Sequence, residues 1–214
     1  MTTDLILLNG EIMYTFQYPD WTKVHTTHWK RLINKLGLDK KPEINIVEVG
    51  CFEGRSTIFF LDTLIKNNTS RYFAIDTWEG GEEVRRLNLP FDMKEIRSNF
   101  EKNISMHPYG ECVKVKIGTS EQGLNSLYRD FKEQVDFIYL DGSHTQKDTL
   151  FDLTYAYPLL RRGALLLIDD YKNSMATSDK TLRPRDAVDF FVKTMGNNIS
   201  FGITSEQQAY IVRN

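Results

Sequence analysis

The stretch VEVGCFEGRS, residues 47–56, sets an apolar run, an acid and two spaced glycines side by side. Val47 and Val49 flank Glu48 as a strand would place them. Gly50 and Gly54 then mark a strand-to-helix turn, where glycine permits close backbone approach to a ligand. A phosphate-cradling loop would end in Gly-Lys-Ser/Thr, which is absent. The dinucleotide fingerprint G-x-G-x-x-G needs three glycines, whereas this stretch has the spacing E-x-G-x-x-x-G. Glu48 would also repel a pyrophosphate. The expected ligand carries positive charge, or at least does not rely on phosphate.

Outward from this turn, apolar runs alternate with helical patterns. INIVEV (44–49), RYFAID (71–76), VKVKI (113–117), VDFIYLD (135–141) and GALLLIDD (163–170) read as strands. Helices are expected over 56–66, 92–105, 121–131, 146–160 and 186–195. ISFGIT (199–204) and QAYIVR (208–213), joined by a short loop, read as an antiparallel hairpin. Strands alternating with helices predict a parallel sheet covered on both faces, an α/β three-layer sandwich of the Rossmann-like kind. VDFIYL and ALLLI are unbroken apolar runs, as central strands require. VKVKI alternates lysine with apolar residues, as a half-covered edge strand would. HTTHWKRLINKL (25–36) carries Trp29, Leu32, Ile33 and Leu36 at helical spacing, and packs on the core or covers the ligand crevice. The chain reads as one domain, residues 1–214, with an N-terminal helical, substrate-side segment (1–43) and a core (44–214). The polar stretch 172–185 is long for a loop, as lids are.

Composition limits the function classes. The chain has 214 residues, 41% apolar and 26% charged, which describes a folded globular protein. A net charge of −2 gives no general pull on nucleic acid or anionic lipid. Cys51 and Cys112 lie far apart and suggest neither a disulfide framework nor a metal site. No signal peptide and no membrane span are expected, and a reducing cytoplasm is the expected compartment. The oligomeric state is left open.

Ligands of open parallel sheets bind beyond the carboxyl ends of the strands. Acids and hydroxyls concentrate there. The first strand ends in Glu48 and Gly50, and the second in Asp76, Thr77 and Trp78. The third ends in Gly118, Thr119 and Ser120, the fourth in Asp141, Gly142, Ser143 and His144, and the fifth in Asp169 and Asp170. Asp76 is placed to accept hydrogen bonds from ribose hydroxyls, as the acid of dinucleotide sites does. Trp78 is expected beside an adenine or packed in its loop. Cys51 is a small filler within the ligand-contacting turn.

VEVGCFEGRS, FAIDTWEGG and FIYLDGSHTQKDTLFDLTYAYPLLRRGALLLIDDY together resemble class I S-adenosylmethionine-dependent methyltransferases. They are most similar to small-molecule O-methyltransferases with a D-G-x-H motif, including those acting on macrolide sugars. The resemblance covers roughly residues 44–171. It implies a seven-stranded, mostly parallel sheet with an antiparallel last strand. It implies that Glu48 meets the ammonium of S-adenosylmethionine, and that the cofactor carboxylate meets the helix N-terminus near Ser56.

Asp141, Asp169 and Asp170 offer hard oxygen ligands, which suit Mg²⁺. The resemblance implies that acids at these positions hold a divalent ion against the acceptor hydroxyl, with His144 as the base. Adjacent strand residues face opposite ways, so Asp169 and Asp170 share one ion only if the chain turns there; otherwise Asp170 caps or orients. His25, His28 and His107 lack such context and read as surface or packing residues. The expected activity is metal-assisted O-methylation of a small hydroxylated acceptor, a sugar or natural-product intermediate. Methylation of nitrogen or of a macromolecule, and a catalytically silent binder of the same fold, are the alternatives.

Overall fold

The computed structural model describes residues 4–8, 11–81, 84, 88–172, 181, 183–204 and 207–214, with side chains from Tyr14 onward. Most of the polar stretch 172–185 therefore lies outside the described residues.

The core strands form where the apolar runs predict them: β3 (Asn45–Val49), β4 (Arg71–Asp76), β5 (Val113–Ile117), β6 (Val135–Leu140) and β7 (Leu160–Ile168). With β8 (Ile199–Ile203) and β9 (Ala209–Arg213) they build one seven-stranded sheet in the order β5-β4-β3-β6-β7-β9-β8. β3 to β7 pair in parallel, while β9 runs antiparallel to both β7 and β8. Every residue of β6 is buried, and β5 is a largely exposed edge, as their sequences require.

Helices cover both faces. On one lie α1 (Thr26–Lys35), α2 (Arg55–Leu64) and α3 (Met93–Met106), whose Trp29, Phe60 and Phe100 pack with Tyr72, Phe137 and Tyr139 of the sheet. On the other lie α4 (Ser120–Phe131), α5 (Gln146–Ala156) and α6 (Pro184–Met195), with Leu124, Leu153 and Val188 against Val47, Ile138 and Leu166. Asp92, Thr119 and Thr145 cap α3, α4 and α5 by accepting backbone N–H bonds. The helix expected over 146–160 stops earlier. Its last turn becomes the 3₁₀ segment Tyr157–Leu159 around Pro158, and β7 starts at Leu160.

The N-terminal segment holds more than a helix. β1 (Asp4–Leu8) and β2 (Glu11–Phe16) pair as a separate antiparallel hairpin ahead of α1. Asn103 of α3 fixes β2 by accepting from Thr15 N (2.8 Å) and donating to Thr15 O (2.9 Å). Among the described residues, no helix is long and apolar enough to cross a membrane.

Candidate active site

The register of β3, β4, β6 and β7 brings Gly50, Asp76, Asp141 and Asp169 to one rim, each at or just past the carboxyl end of its strand. The turn after β3 is closer-packed than a ligand loop needs. A side chain on Gly50 (φ +81°) would overlap the backbone carbonyl of Asp141. A side chain on Gly54 (φ +88°) would press on the Phe100 ring. Both glycines are thus demanded by neighbouring protein as well as by their left-handed backbone.

Glu48, the acid expected to meet the ammonium, is engaged by the protein's own hydroxyls. It is fully buried beneath α2, and accepts hydrogen bonds from Ser56 Oγ (2.5 Å), Thr57 Oγ1 (2.5 Å) and Tyr72 Oη (2.7 Å). Burial pushes its carboxyl up, and the three hydroxyls pull the other way without cancelling the rise. Ser56 is committed to Glu48 through its hydroxyl. Cys51 is buried, and its thiol is raised well above the ordinary value by burial and by the charges of Glu48 and Asp76. It is an inert filler.

Asp76 holds the turn itself. One carboxylate oxygen accepts from Cys51 N (2.7 Å) and Phe52 N (3.1 Å), and the other from Trp78 N (2.8 Å). Trp78 packs at 5.0 Å from the Phe100 ring and donates from Nε1 to Phe52 O (3.0 Å), so its face is used by the protein. Thr77 accepts from Glu79 N (3.2 Å). Thr119 caps α4 in a reciprocal box with Gln122, and Ser120 opens that helix and hydrogen-bonds Asp152.

The second half of the rim is different. Asp141, His144 and Asp170 converge, with one ligand atom from each lying within 4.8 Å of the others. His144 Nε2 is 2.9 Å from Asp170 Oδ2 and 3.5 Å from Asp141 Oδ1. The turn that presents His144 is braced by Ser143 Oγ donating to Asp148 (2.7 Å) and by the Thr145 cap. Asp170 adopts φ +50°, a left-handed kink that breaks the alternation of β7. That kink turns Asp170 toward His144, while Asp169 accepts from Tyr139 Oη (2.5 Å) and from Asp170 N (2.8 Å). Tyr139 Oη also lies 3.2 Å from Asp141 Oδ2, so one phenol spans both acids.

The electrostatics follow. Burial, then the nearby Asp169 charge, raise the Asp141 carboxyl to about 7 against the pull of His144. Burial alone would raise Asp170 too, but the hydrogen bond and charge of His144, then the charge of His25, hold it below the usual carboxylate value. Crowded carboxylates beside an imidazole form a donor set that suits a divalent cation.

A methyltransferase-domain family matches residues 47–171 of this sequence, more than half of it. The chain belongs to the methyltransferase family. The matched segment runs from the glycine turn to the residue after Asp170, so it spans both halves of the rim. No curated protein matches the methyltransferase significantly in sequence. Its fold is that of solved S-adenosylmethionine-dependent enzymes. An O-methyltransferase from Bacillus cereus, in complex with S-adenosylhomocysteine, superposes with a TM-score of 0.64 at 18% identity, over 91% of this chain and 83% of that one. CalS11, a TDP-rhamnose 3'-O-methyltransferase of calicheamicin biosynthesis, gives 0.59 at 17% identity, over 91% and 81%. MycE, solved with Mg, S-adenosylhomocysteine and mycinamycin VI, gives 0.60 at 11% identity, over 93% of this chain and 50% of that one.

Four residues around this rim are not singled out by sequence reasoning as site residues. Tyr139 hides its hydroxyl inside an apolar strand. Glu53, 1% exposed, accepts from Gln17 N (2.9 Å), Tyr18 N (3.1 Å) and Asn99 Nδ2 (3.0 Å), and so ties the N-terminal segment to the glycine turn. Asp152 lies buried in α5 beneath Gly142, with its carboxyl raised to about 7 chiefly by burial. His25, read from sequence as a surface or packing residue, is buried and acts electrostatically on Asp170.

Proposed function

We propose that this methyltransferase moves a methyl group from S-adenosylmethionine to a hydroxyl oxygen of a small acceptor, a sugar or natural-product alcohol, with a divalent ion at the site. The convergence of Asp141, His144 and Asp170 beside the glycine turn supports this most strongly. Silent binding of the donor would not need that cluster. The similar solved O-methyltransferases, one named for a TDP-sugar acceptor and one solved with Mg and mycinamycin VI, favour oxygen and a small acceptor.

The residues present fit both groups. The turn at Gly50 and Gly54, with Asp76, would hold the donor, and S-adenosylmethionine would supply an electrophilic methyl on a sulfonium. Asp141 and Asp170 would hold Mg²⁺, with Asp169 positioned behind them through Tyr139. A bound divalent ion would lower the pKa of an acceptor hydroxyl. His144 takes the hydroxyl proton as general base. Asp170, 2.9 Å from Nε2, fixes the ring and stabilises the imidazolium that results. Much of the rate gain comes from holding oxygen, methyl and sulfur in line.

Calorimetry with S-adenosylmethionine tests the donor site, and absence of saturable binding would end the proposal. Release of S-adenosylhomocysteine across a panel of sugars, catechols and macrolide aglycones tests the acceptor class. Turnover with amines or nucleic acid alone would replace the oxygen assignment.

A further inference from the structure

His25 precedes the first turn of α1 and is 94% removed from solvent, at 6% exposure. Its ring stacks on Trp29 at 6.0 Å and 22°. Trp29 in turn meets the Tyr139 ring at 5.3 Å, and Tyr139 is the phenol that spans Asp141 and Asp169. His25 thus lies two ring contacts from the phenol that spans Asp141 and Asp169. It is not among the three residues whose ligand atoms converge there. Its Nδ1 is buried and has no hydrogen-bond partner among the described residues. A buried polar atom left unpaired costs about 1–3 kcal/mol, which asks for a ligand that is present when the enzyme works.

The path of the chain says which ligand. Residues 17 and 18 are bonded to Glu53 in the glycine turn, and Trp21 packs on Phe52 of the same turn at 5.7 Å. The segment then runs on to His25, whose ring reaches Tyr139 through Trp29. It spans the interval between the donor turn and the ion site, which is where an acceptor must lie. Trp21 and Val24 remain 55% and 69% exposed on it.

We propose that His25 is an acceptor-binding residue: its Nδ1 hydrogen-bonds a polar group of the acceptor next to the reacting hydroxyl. This rests on the O-methylation proposed above and adds to it. The acceptor then carries at least two polar groups on neighbouring positions, one for the ion and one for His25. Trp21 and Val24 present apolar surface to the rest of it. His25 positions and does not exchange the reacting proton, which His144 takes.

Two variants separate this from a packing role. His25→Phe keeps an aromatic ring against Trp29 and removes the nitrogen. His25→Asn loses the ring, restores a polar group near Nδ1, and is a favourable helix cap. The best substrate from a panel of methyl glycosides and catechols is taken to steady-state kinetics by S-adenosylhomocysteine release. For His25→Phe, the acceptor KM is expected to rise about tenfold, the worth of one hydrogen bond to a buried group. kcat and the KM for S-adenosylmethionine are expected to stay within about threefold, and His25→Asn to recover most of the loss. An unchanged acceptor KM in His25→Phe overturns the proposal. So does a pattern in which Phe is tolerated and Asn is not, since that is what ring packing predicts. A wild-type protein that releases nothing from any panel member defeats O-methylation itself, and the His25 assignment falls with it.

Discussion

Glu48 and Asp141 are both acids near the carboxyl ends of neighbouring strands, the first fully buried and the second half-buried, and both carboxyls are raised chiefly by desolvation. They differ in company. Among the described residues Glu48 accepts from three hydroxyl donors, which share its two oxygens. Asp141 faces Asp169, Asp170 and His144, so its site carries unresolved charge. One acid braces α2 against the sheet; the other sits in a cluster of acids beside an imidazole. Position on the rim alone does not separate scaffold from chemistry, whereas the partners of each oxygen do.

The largest expected effect is on the crowded side. His144→Ala is expected to lower turnover at pH 7 by about 10²–10⁴-fold, the usual worth of a general base, with little change in the thermal midpoint. Turnover that survives in this variant removes His144 as base. Glu48→Leu is expected to reverse the pattern. It leaves Ser56, Thr57 and Tyr72 without their shared acceptor and costs on the order of 2–4 kcal/mol in urea unfolding. An unchanged unfolding midpoint in that variant would erase the distinction drawn between the two acids.

Asp152 sharpens the comparison, because it is buried like Glu48 and raised to about 7 like Asp141. Its folded value lies above the unfolded one of 3.8. Below that lower value both states hold the proton, and ionisation contributes nothing. As pH climbs toward about 7 the unfolded chain ionises first, so stability is lost; above about 7 the deficit is constant. Asp152→Asn is therefore expected to match wild type near pH 4 and to exceed it above pH 7 by about 1–3 kcal/mol, within the upper bound of about 4 that the shift sets. Urea melts at the two pH values check this, and a gap of equal size at both would contradict it.

The sheet was legible in the sequence because burial on both faces leaves unbroken apolar runs, as in VDFIYL, and an edge strand needs polar interruptions, as in VKVKI. The rim was legible because acids collect at strand ends. The N-terminal hairpin was missed although LILLNGEIMYTF carries its signal, an Asn-Gly pair between apolar runs. Other features are fixed only in three dimensions. Glu48 and Asp76 are both acids at strand ends, yet Ser56, Thr57 and Tyr72 donate to the first and backbone N–H groups of the glycine turn and of Trp78 to the second. The left-handed kink at Asp170 has no glycine to announce it. The burial of His25 depends on where α1 docks, which helical periodicity does not state.

The most direct measurement is S-adenosylhomocysteine release with the best acceptor, after chelation and then across a Mg²⁺ titration, for wild type and Asp141→Asn. Wild type is expected to lose turnover on chelation and to regain it saturably with Mg²⁺, while Asp141→Asn stays inactive across the same range. Turnover unaffected by chelation, or an equal Mg²⁺ response in both proteins, would contradict a cation site at Asp141 and Asp170.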